Sequence, residues 1–356
     1  MSDHELEFGF SVGFDPPWQR QVEKAKLAEA NGFTYGWVWD THILMQECYP
    51  LLTLMAEHTS ALKLGTCVTH VGPRDPGVTA SVFSTLQNIS GGRMICGIGR
   101  GDSAVRIRKA RPARLADLES AVEIIGGLST GDEIDVDGVG VQLRWATGGR
   151  VPVYVAAYGP KALRLAGRVG DGVIIQIADP YFVGWAMERV REGAEEVGRD
   201  LTGFQVQCAA PGFISADRSQ AREEVRWFGA LVGNHVADLL RHHDPAGLPA
   251  DLIAYVENRT HYDYREHTRA GTDHAAYVPD EIVDRFTVIG TADACVAKLE
   301  ELAAAGVTEF NLYTAVSDPE ALIEAYGRDI IPRVGRGSAR TIQTAIPTTN
   351  RRQDQP

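Results

Sequence analysis

Short apolar runs alternate with amphipathic stretches along most of this chain. The apolar runs predict eight strands, at residues 7–12, 35–39, 62–69, 94–98, 153–156, 172–176, 204–210 and 309–313. The amphipathic stretches predict helices at residues 18–31, 49–59, 77–89, 112–128, 160–169, 180–197, 219–232, 291–305 and 318–331. Because the strand runs are almost continuously apolar, we expect both of their faces to be buried, as in a parallel sheet covered by helices.

The order of strands and helices fits either a closed barrel or an open doubly wound sheet. The first predicted strand is not followed by GxGxxG, and the order of elements shows no clear topological switch. We therefore predict an α/β fold of the (β/α)8 TIM-barrel type. Several predicted helices begin with proline in the first turn. Several end at a glycine predicted to adopt a left-handed cap, namely Gly32, Gly170, Gly198 and Gly306.

Two segments interrupt the alternation. Residues 133–144, EIDVDGVGVQLR, alternate in polarity around Asp137-Gly138 and predict a hairpin. Residues 233–280 are rich in His, Tyr and charge, which is typical of a long insertion that covers a barrel mouth as a lid. Residues 337–356 are polar and predict a flexible tail after a single barrel domain at 1–336.

Composition narrows the possible partners. The 356 residues carry a net charge of −12 without a Lys/Arg cluster, which argues against a nucleic-acid or anionic-membrane partner. No apolar run approaches the ~20 residues of a membrane span. Five cysteines occur singly, without metal-ligand spacing or a signal-peptide pattern, so we expect a cytoplasmic protein without a structural metal site. They are Cys48, Cys67, Cys96, Cys208 and Cys295.

Candidate chemistry lies after the predicted strands, because barrel enzymes bind ligands at the carboxyl ends of their strands. The fourth strand ends in Gly99-Arg100-Gly101-Asp102, where glycines let a ligand lie against bare backbone and Arg100 offers an anion contact. The second strand is followed by Asp40-Thr41-His42. An Asp beside a His can orient the ring or tune it as an acid or base; the alternative is a helix cap and a surface histidine.

Two more strand ends carry candidates. The third strand reads GTCVTH, and Thr69 and His70 are positioned to face the same mouth. The fifth strand is followed by AAYGPKA, where the free N–H groups of a helix start and Lys161 predict a phosphate site. The alternative is a well-capped helix without a ligand. The sixth strand ends at Gln176, whose amide can bond to the edge of a ring.

These segments together resemble a known family. The runs GTCVT, RDPGVTA, ISGGRMICGIGRGDSAV and VYVAAYGPKALRLAGRVGDG resemble the luciferase-like monooxygenase superfamily. Within it they are similar to deazaflavin-dependent reductases of the methylenetetrahydromethanopterin reductase-like branch, over about residues 5–332. The resemblance implies a TIM barrel that binds coenzyme F420 or FMN at its mouth, with His42 beside the reactive ring. It also implies a strand-three bulge at Cys67-Val68, often with a non-prolyl cis peptide, that backs the ring.

The resemblance completes the set of candidate site residues. His42 and Asp40 are the predicted catalytic residues, and Arg285 is similar in placement to a basic phosphate contact of some members. The predicted cofactor-binding residues are Cys67, Val68, Thr69, Gly99, Arg100, Gly101, Asp102, Tyr158, Gly159, Pro160, Lys161, Gln176 and Arg285. No metal ligand is predicted.

We expect an oxidoreductase that transfers hydride between F420 and a small organic substrate, acting as a homodimer, since dimers are common in that family. The glycine loop favours the deazaflavin. The alternative is a two-component monooxygenase that receives FMNH2 from a separate flavin reductase. A non-catalytic flavin-binding barrel and a metal-dependent hydrolase that uses histidines of the insertion are further alternatives. The long 233–280 segment argues against transferring the pterin substrate of the shorter reductases.

Overall fold

The computed structural model describes residues 6–12, 17–242, 250–257 and 275–334. Strands in these ranges are β1 (Glu7–Val12), β2 (Tyr35–Val38), β3 (Lys63–Thr66), β4 (Thr69–His70), β5 (Met94–Gly99), β6 (Ile134–Val136), β7 (Val139–Val141), β8 (Val153–Ala156), β9 (Gly172–Ile175), β10 (Gln205–Ile214), β11 (Val288–Gly290) and β12 (Glu309–Tyr313). Helices are α1 (Trp18–Ala30), α2 (Cys48–His58), α3 (Pro76–Ser90), α4 (Ser103–Arg106), α5 (Leu115–Leu128), α6 (Pro160–Val169), α7 (Pro180–Glu196), α8 (Arg218–His242), α9 (Ala250–Glu257), α10 (Asp280–Phe286), α11 (Ala292–Ala304) and α12 (Pro319–Ala325), followed by a π-helical turn (Tyr326–Ile330).

The eight predicted strands close into a parallel barrel. Pairing runs in the order β12, β1, β2, β3, β5, β8, β9 and β10, and β10 returns to pair with β12. The register places Phe10 between Leu312 and Gly36 of the neighbouring strands. The predicted (β/α)8 barrel is therefore confirmed, and all strand carboxyl ends lie at one mouth.

Some elements differ from the prediction. The third predicted strand is divided into β3 and β4 by a cis peptide bond between Cys67 and Val68. The prediction missed α4, α9, α10 and β11. β11 has only three residues, which is too short for a periodic pattern, and it forms by pairing with Gly212–Ile214 at the end of β10. The predicted helix 318–331 is α12 continued by the π-helical turn.

The turn predictions depend on backbone conformation. In the β6–β7 hairpin, Asp137 and Gly138 have φ of 53° and 84°, as a two-residue hairpin turn requires, so that prediction is confirmed. Gly32, Gly198 and Gly306 also have positive φ. The prediction for Gly170 is wrong, because its φ is −79°. Glycine provides space there instead, since a Cβ would lie 2.9 Å from the carbonyl oxygen of Ala166.

The barrel interior contains a buried acid. Glu309 of β12 is 1% exposed, and its Oε1 accepts a hydrogen bond from Trp37 Nε1 at 2.6 Å. Gln207 Nε2 donates to Glu309 Oε2 at 3.1 Å. A Cβ at Gly9 would lie 2.3 Å from Glu309 Oε1, so glycine in β1 makes room for this carboxyl group. Burial raises the pKa of Glu309 to about 8, although its hydrogen bonds act in the opposite direction.

Part of the predicted insertion is helical. α8 runs beyond its predicted end at 232 to His242, and α9 and α10 also lie within or beside the insertion. Residues 243–249 and 258–274 lie outside the described residues, as does the predicted tail at 337–356. The single-domain assignment stays a prediction. No helix in the described ranges has the length and apolarity needed to cross a bilayer.

Candidate active site

Asp40, directly after β2, is fixed by a network at the barrel mouth. Its Oδ2 accepts hydrogen bonds from Thr69 Oγ1 at 2.7 Å and from Arg74 Nη1 at 3.3 Å. Tyr49 OH lies 3.0 Å from Thr69 Oγ1, and the Arg74 guanidinium lies 4.6 Å from the centre of the Tyr49 ring. Arg74 also donates to Glu47 at 2.5 Å. The carboxylate of Asp40 is thus held in place by groups from β4 and from the loop before α3.

Asp40 does not orient His42 through a hydrogen bond among the described residues, while the predicted tuning of the ring by Asp40 stays a prediction. Asp40 Oδ2 is directed to Thr69 and Arg74, while Asp40 Oδ1 and His42 Nδ1 are buried without a hydrogen-bond partner in the described part of the chain. His42 instead lies nearly parallel to the ring of His70, with centroids 6.1 Å apart and an interplanar angle of 18°. The tertiary structure therefore pairs His42 with a second imidazole rather than with the neighbouring acid.

His70 is the residue that the predicted site set omitted. It is 6% exposed, and both ring nitrogens are buried without a partner among the described residues. Burial lowers its pKa, and the charges of His42 and Arg74 act in the same direction, whereas Asp40 opposes them. A buried polar atom without a partner costs about 1–3 kcal/mol, which a ligand at the mouth would offset. Its position at the end of the third predicted strand was the available sequence signal.

A second group of side chains joins four strand ends. Tyr158 OH donates to Gln176 Oε1 at 2.6 Å, and Gln176 Nε2 donates to Tyr313 OH at 2.8 Å. The Tyr313 ring packs edge-on against Trp39 with centroids 4.9 Å apart. The Tyr158 ring stacks on His235 of α8 at 4.2 Å. The predicted residues Tyr158 and Gln176 thus belong to one chain of contacts across the mouth, connected to the predicted insertion through α8.

The Cys67-Val68 segment has the cis peptide that the family resemblance implies. Cys67 Sγ lies 3.4 Å from Gln207 Oε1 and 3.6 Å from Asn311 Nδ2, so this side chain points into the barrel. Burial raises the pKa of the Cys67 thiol to about 12. A Cβ at Gly99 would lie 3.3 Å from Val68 Cγ2, so the structure brings these two predicted residues together.

The glycine loop after β5 is shaped by its neighbours. Gly101 has a φ of +91°, and a Cβ there would lie 3.2 Å from His70 Nδ1. Arg100 Nε donates to Ala113 O at 2.5 Å, and Asp102 forms an ion pair with Arg106 at 2.6 Å. The side chains of Arg100 and Asp102 therefore contact their own loop and helix, and only glycine fits at position 101 beside His70.

The predicted phosphate site begins α6. Gly159 is the N-cap residue, Pro160 occupies the first turn, and no side chain caps the helix. Lys161 is exposed in the same turn. The free N–H groups of this turn and the charge of Lys161 suit an anion. Arg285 of α10 forms an ion pair at 2.5 Å with Asp179, the N-cap residue of α7, and its contact with the phosphate stays a prediction.

One group of potential metal ligands occurs among the described residues. Oxygen atoms of Asp40 and Glu47 and the sulfur of Cys48 lie within 4.8 Å of one another. Arg74 bonds to both carboxylates, so a positive charge already lies between them. Burial raises the pKa of the Cys48 thiol, which disfavours the thiolate that a metal would need.

The fold is a (β/α)8 barrel with a polar, glycine-lined candidate site at the carboxyl ends of its strands. The chain belongs to the luciferase-like monooxygenase family, whose sequence model matches residues 5–309. This match confirms the family resemblance that the motifs carried.

Individual relatives extend the match over nearly the whole chain. A 5,10-methylenetetrahydromethanopterin reductase of Archaeoglobus fulgidus is 32% identical over 339 residues, which cover 92% of this chain and 100% of that protein. An F420-dependent glucose-6-phosphate dehydrogenase of Rhodococcus jostii is 28% identical and covers 94% of this chain and 99% of its own.

A solved structure shows the same architecture. The coenzyme F420 dependent tetrahydromethanopterin reductase of Methanopyrus kandleri superimposes with a TM-score of 0.74 at 27% identity, covering 93% of this chain and 99% of that one.

Proposed function

We propose that this protein is an F420-dependent oxidoreductase that transfers hydride between the deazaflavin and a small organic substrate. The observation that carries the proposal is the set of buried, unpartnered polar atoms of Asp40, His42 and His70 at the mouth of a barrel of this family. The names of the Rhodococcus relative and of the Methanopyrus structure include F420, which favours the deazaflavin over FMN.

The residues present fit such a cofactor. A Cβ at Gly99 would lie 3.3 Å from Val68 Cγ2, and a Cβ at Gly101 would lie 3.2 Å from His70 Nδ1, so glycine keeps side chains out of this part of the mouth. The start of α6 at Gly159 suits the phosphate. Of the other predicted contacts, Tyr158 and Gln176 lie in the contact chain across the mouth, Thr69 holds Asp40, and Cys67 contributes through its backbone. When bound, F420 supplies the hydride donor or acceptor, and the protein supplies position and proton handling.

The side chains around the mouth have separate roles. His42 holds or accepts the proton that accompanies hydride transfer, through Nδ1, which has no hydrogen-bond partner among the described residues. Asp40 keeps a fixed negative charge beside the imidazole pair. Helix α8 closes one side of the mouth, with His235 on Tyr158 and Phe228 edge-on to Tyr313 at 5.9 Å, and so limits the access of water.

A cofactor titration tests the proposal. Purified protein is titrated with F420 and, separately, with FMN, and binding is followed by absorbance. We expect F420 to bind with a micromolar dissociation constant and FMN about tenfold more weakly or worse. Micromolar binding of FMN without binding of F420 would overturn the proposal in favour of the two-component monooxygenase, which needs a flavin reductase as partner.

We also propose a cytoplasmic homodimer whose other partner is its small-molecule substrate. Light scattering after size exclusion tests the dimer, for which the expected mass is twice the 38.7 kDa of one chain. A mass of one chain across the working concentration range would contradict it.

A further inference from the structure

The two imidazoles at the mouth form a pair without internal hydrogen bonds. His42 comes from the loop after β2, and His70 ends β4. Their ring centroids lie 6.1 Å apart, and three of their ring nitrogens are buried without a partner in the described ranges. Among the described residues, these three nitrogens therefore neither donate nor accept a hydrogen bond.

Glycine residues leave room beside His70. Cβ atoms at Gly72 and Gly101 would each lie 3.2 Å from His70 Nδ1, so side chains at either position would crowd this nitrogen. Gly72 lies in the loop before α3, and Gly101 lies in the loop after β5. The buried Nδ1 of His70 therefore lies against two loops at the mouth.

The charged groups around His70 determine when its ring carries a proton. Facing it are Asp40, His42 and Arg74, and Arg74 is itself paired with Asp40 and Glu47. Burial lowers the pKa of His70, Asp40 opposes this, and the charges of His42 and Arg74 lower the pKa further, so the net effect favours the uncharged ring. Repulsion at this separation disfavours protonation of both rings together.

We propose that His70 and His42 act as a paired proton-exchanging site, in which the two rings take up one proton from solvent when a ligand oxygen that accepts hydrogen bonds occupies the mouth. A carbonyl or enolate oxygen is the class of ligand atom that would favour the protonated ring. This inference rests on the proposed function, because F420 is taken as the ligand. The inference adds His70 to His42 as a second titratable residue of the site, so that binding of the ligand depends on pH.

Calorimetry of F420 binding measures the proton directly. Binding heats are recorded at pH 7.5 in phosphate and in Tris, and the difference between the buffers gives the number of protons taken up. We expect uptake of about half a proton or more by the wild-type protein, and clearly less by His70→Asn, whose amide forms hydrogen bonds but does not titrate. The control His58→Asn removes an exposed histidine of α2 and should bind like wild type. Equal uptake by wild type and His70→Asn would overturn the inference.

A second measurement separates this inference from the proposed function. Histidine ring resonances are titrated by NMR in the free wild-type protein and in His42→Asn. Loss of the like charge should raise the titration midpoint of His70, and an unchanged midpoint would overturn the pairing. If F420 produces neither heat nor an absorbance change, the proposed cofactor is wrong, while the NMR titration still decides whether the pair exists.

Discussion

Replacement of Glu309 by Gln should remove a pH dependence of folding stability. The carboxyl group is buried in the barrel, where its pKa is about 8 instead of 4.5. Between these values the folded protein holds a proton that the unfolded chain has released. The contribution of this proton to folding stability is therefore fully present below pH 4.5 and is lost as the pH rises towards 8. Glu309→Gln keeps the side-chain volume but carries no titratable proton.

The expected magnitude follows from the two pKa values. Each pH unit within this window corresponds to about 1.4 kcal/mol, so the whole window amounts to about 5 kcal/mol. Between pH 5.0 and 7.5, the stability of wild type relative to Glu309→Gln should fall by about 3 kcal/mol. Altered bonding to Trp37 and Gln207 adds an offset to the variant, but that offset does not change with pH.

Urea denaturation at several pH values measures the effect. Free energies of unfolding are compared for wild type, Glu309→Gln and Glu300→Gln, which removes a carboxylate from the exposed side of α11. Any change shared by both variants is not assigned to Glu309. Parallel stability curves for wild type and Glu309→Gln between pH 5.0 and 7.5 would refute the argument that burial keeps this acid protonated.

Five further substitutions test the fold and the site. Gly97→Ala should lower the free energy of unfolding by about 3 kcal/mol or more in urea denaturation, because its Cβ would lie 2.0 Å from a backbone oxygen of β3. Gly184→Ala in α7 has open space and should raise that free energy by about 0.5–1 kcal/mol. Similar changes in stability for the two variants would contradict this reasoning. Arg93→Lys should lower the free energy of unfolding by about 2 kcal/mol in the same assay, because the guanidinium donates to four backbone carbonyls. A decrease under about 0.5 kcal/mol would contradict a stabilising role for these hydrogen bonds. Lys161→Ala should weaken F420 binding about tenfold by absorbance titration, and unchanged affinity would move the phosphate elsewhere. His42→Ala should reduce turnover, in a screen of F420 reduction by small alcohols, far more than F420 affinity; unchanged turnover would exclude its acid–base role.

Sequence reasoning located the strand ends that carry the candidate chemistry, but it did not identify the groups that bind Asp40. Asp40 and His42 are close along the chain, and that proximity suggested that the acid orients or tunes the ring. In the fold, Thr69 and Arg74 bind the carboxylate instead. Sequence proximity is weak evidence for contact where the chain leaves a strand, because residues from adjacent strands lie as near.

The contacts in the closely packed interior also could not be predicted from the sequence. Trp37 and Glu309 are separated by 272 residues and form a hydrogen bond only because β2 and β12 both flank β1. No pattern in the sequence indicates why Gly9 of β1, which lies beside them, must be glycine. In the fold, the neighbouring strands place the Trp37 indole and the Glu309 carboxyl group where a Cβ at this position would lie, so only glycine fits.

Local patterning of the chain by itself determined the order of strands and helices, the β6–β7 hairpin and the start of α6. These features depend on residues close in sequence: apolar runs, turn residues with positive φ, and a Gly-Pro helix start. Tertiary structure alone decided the closure of the barrel by β10, the formation of β11 and the pairing of His42 with His70. Those features require distant segments to meet, and burial and strand pairing across the whole sheet, rather than local preference, select which segments do so.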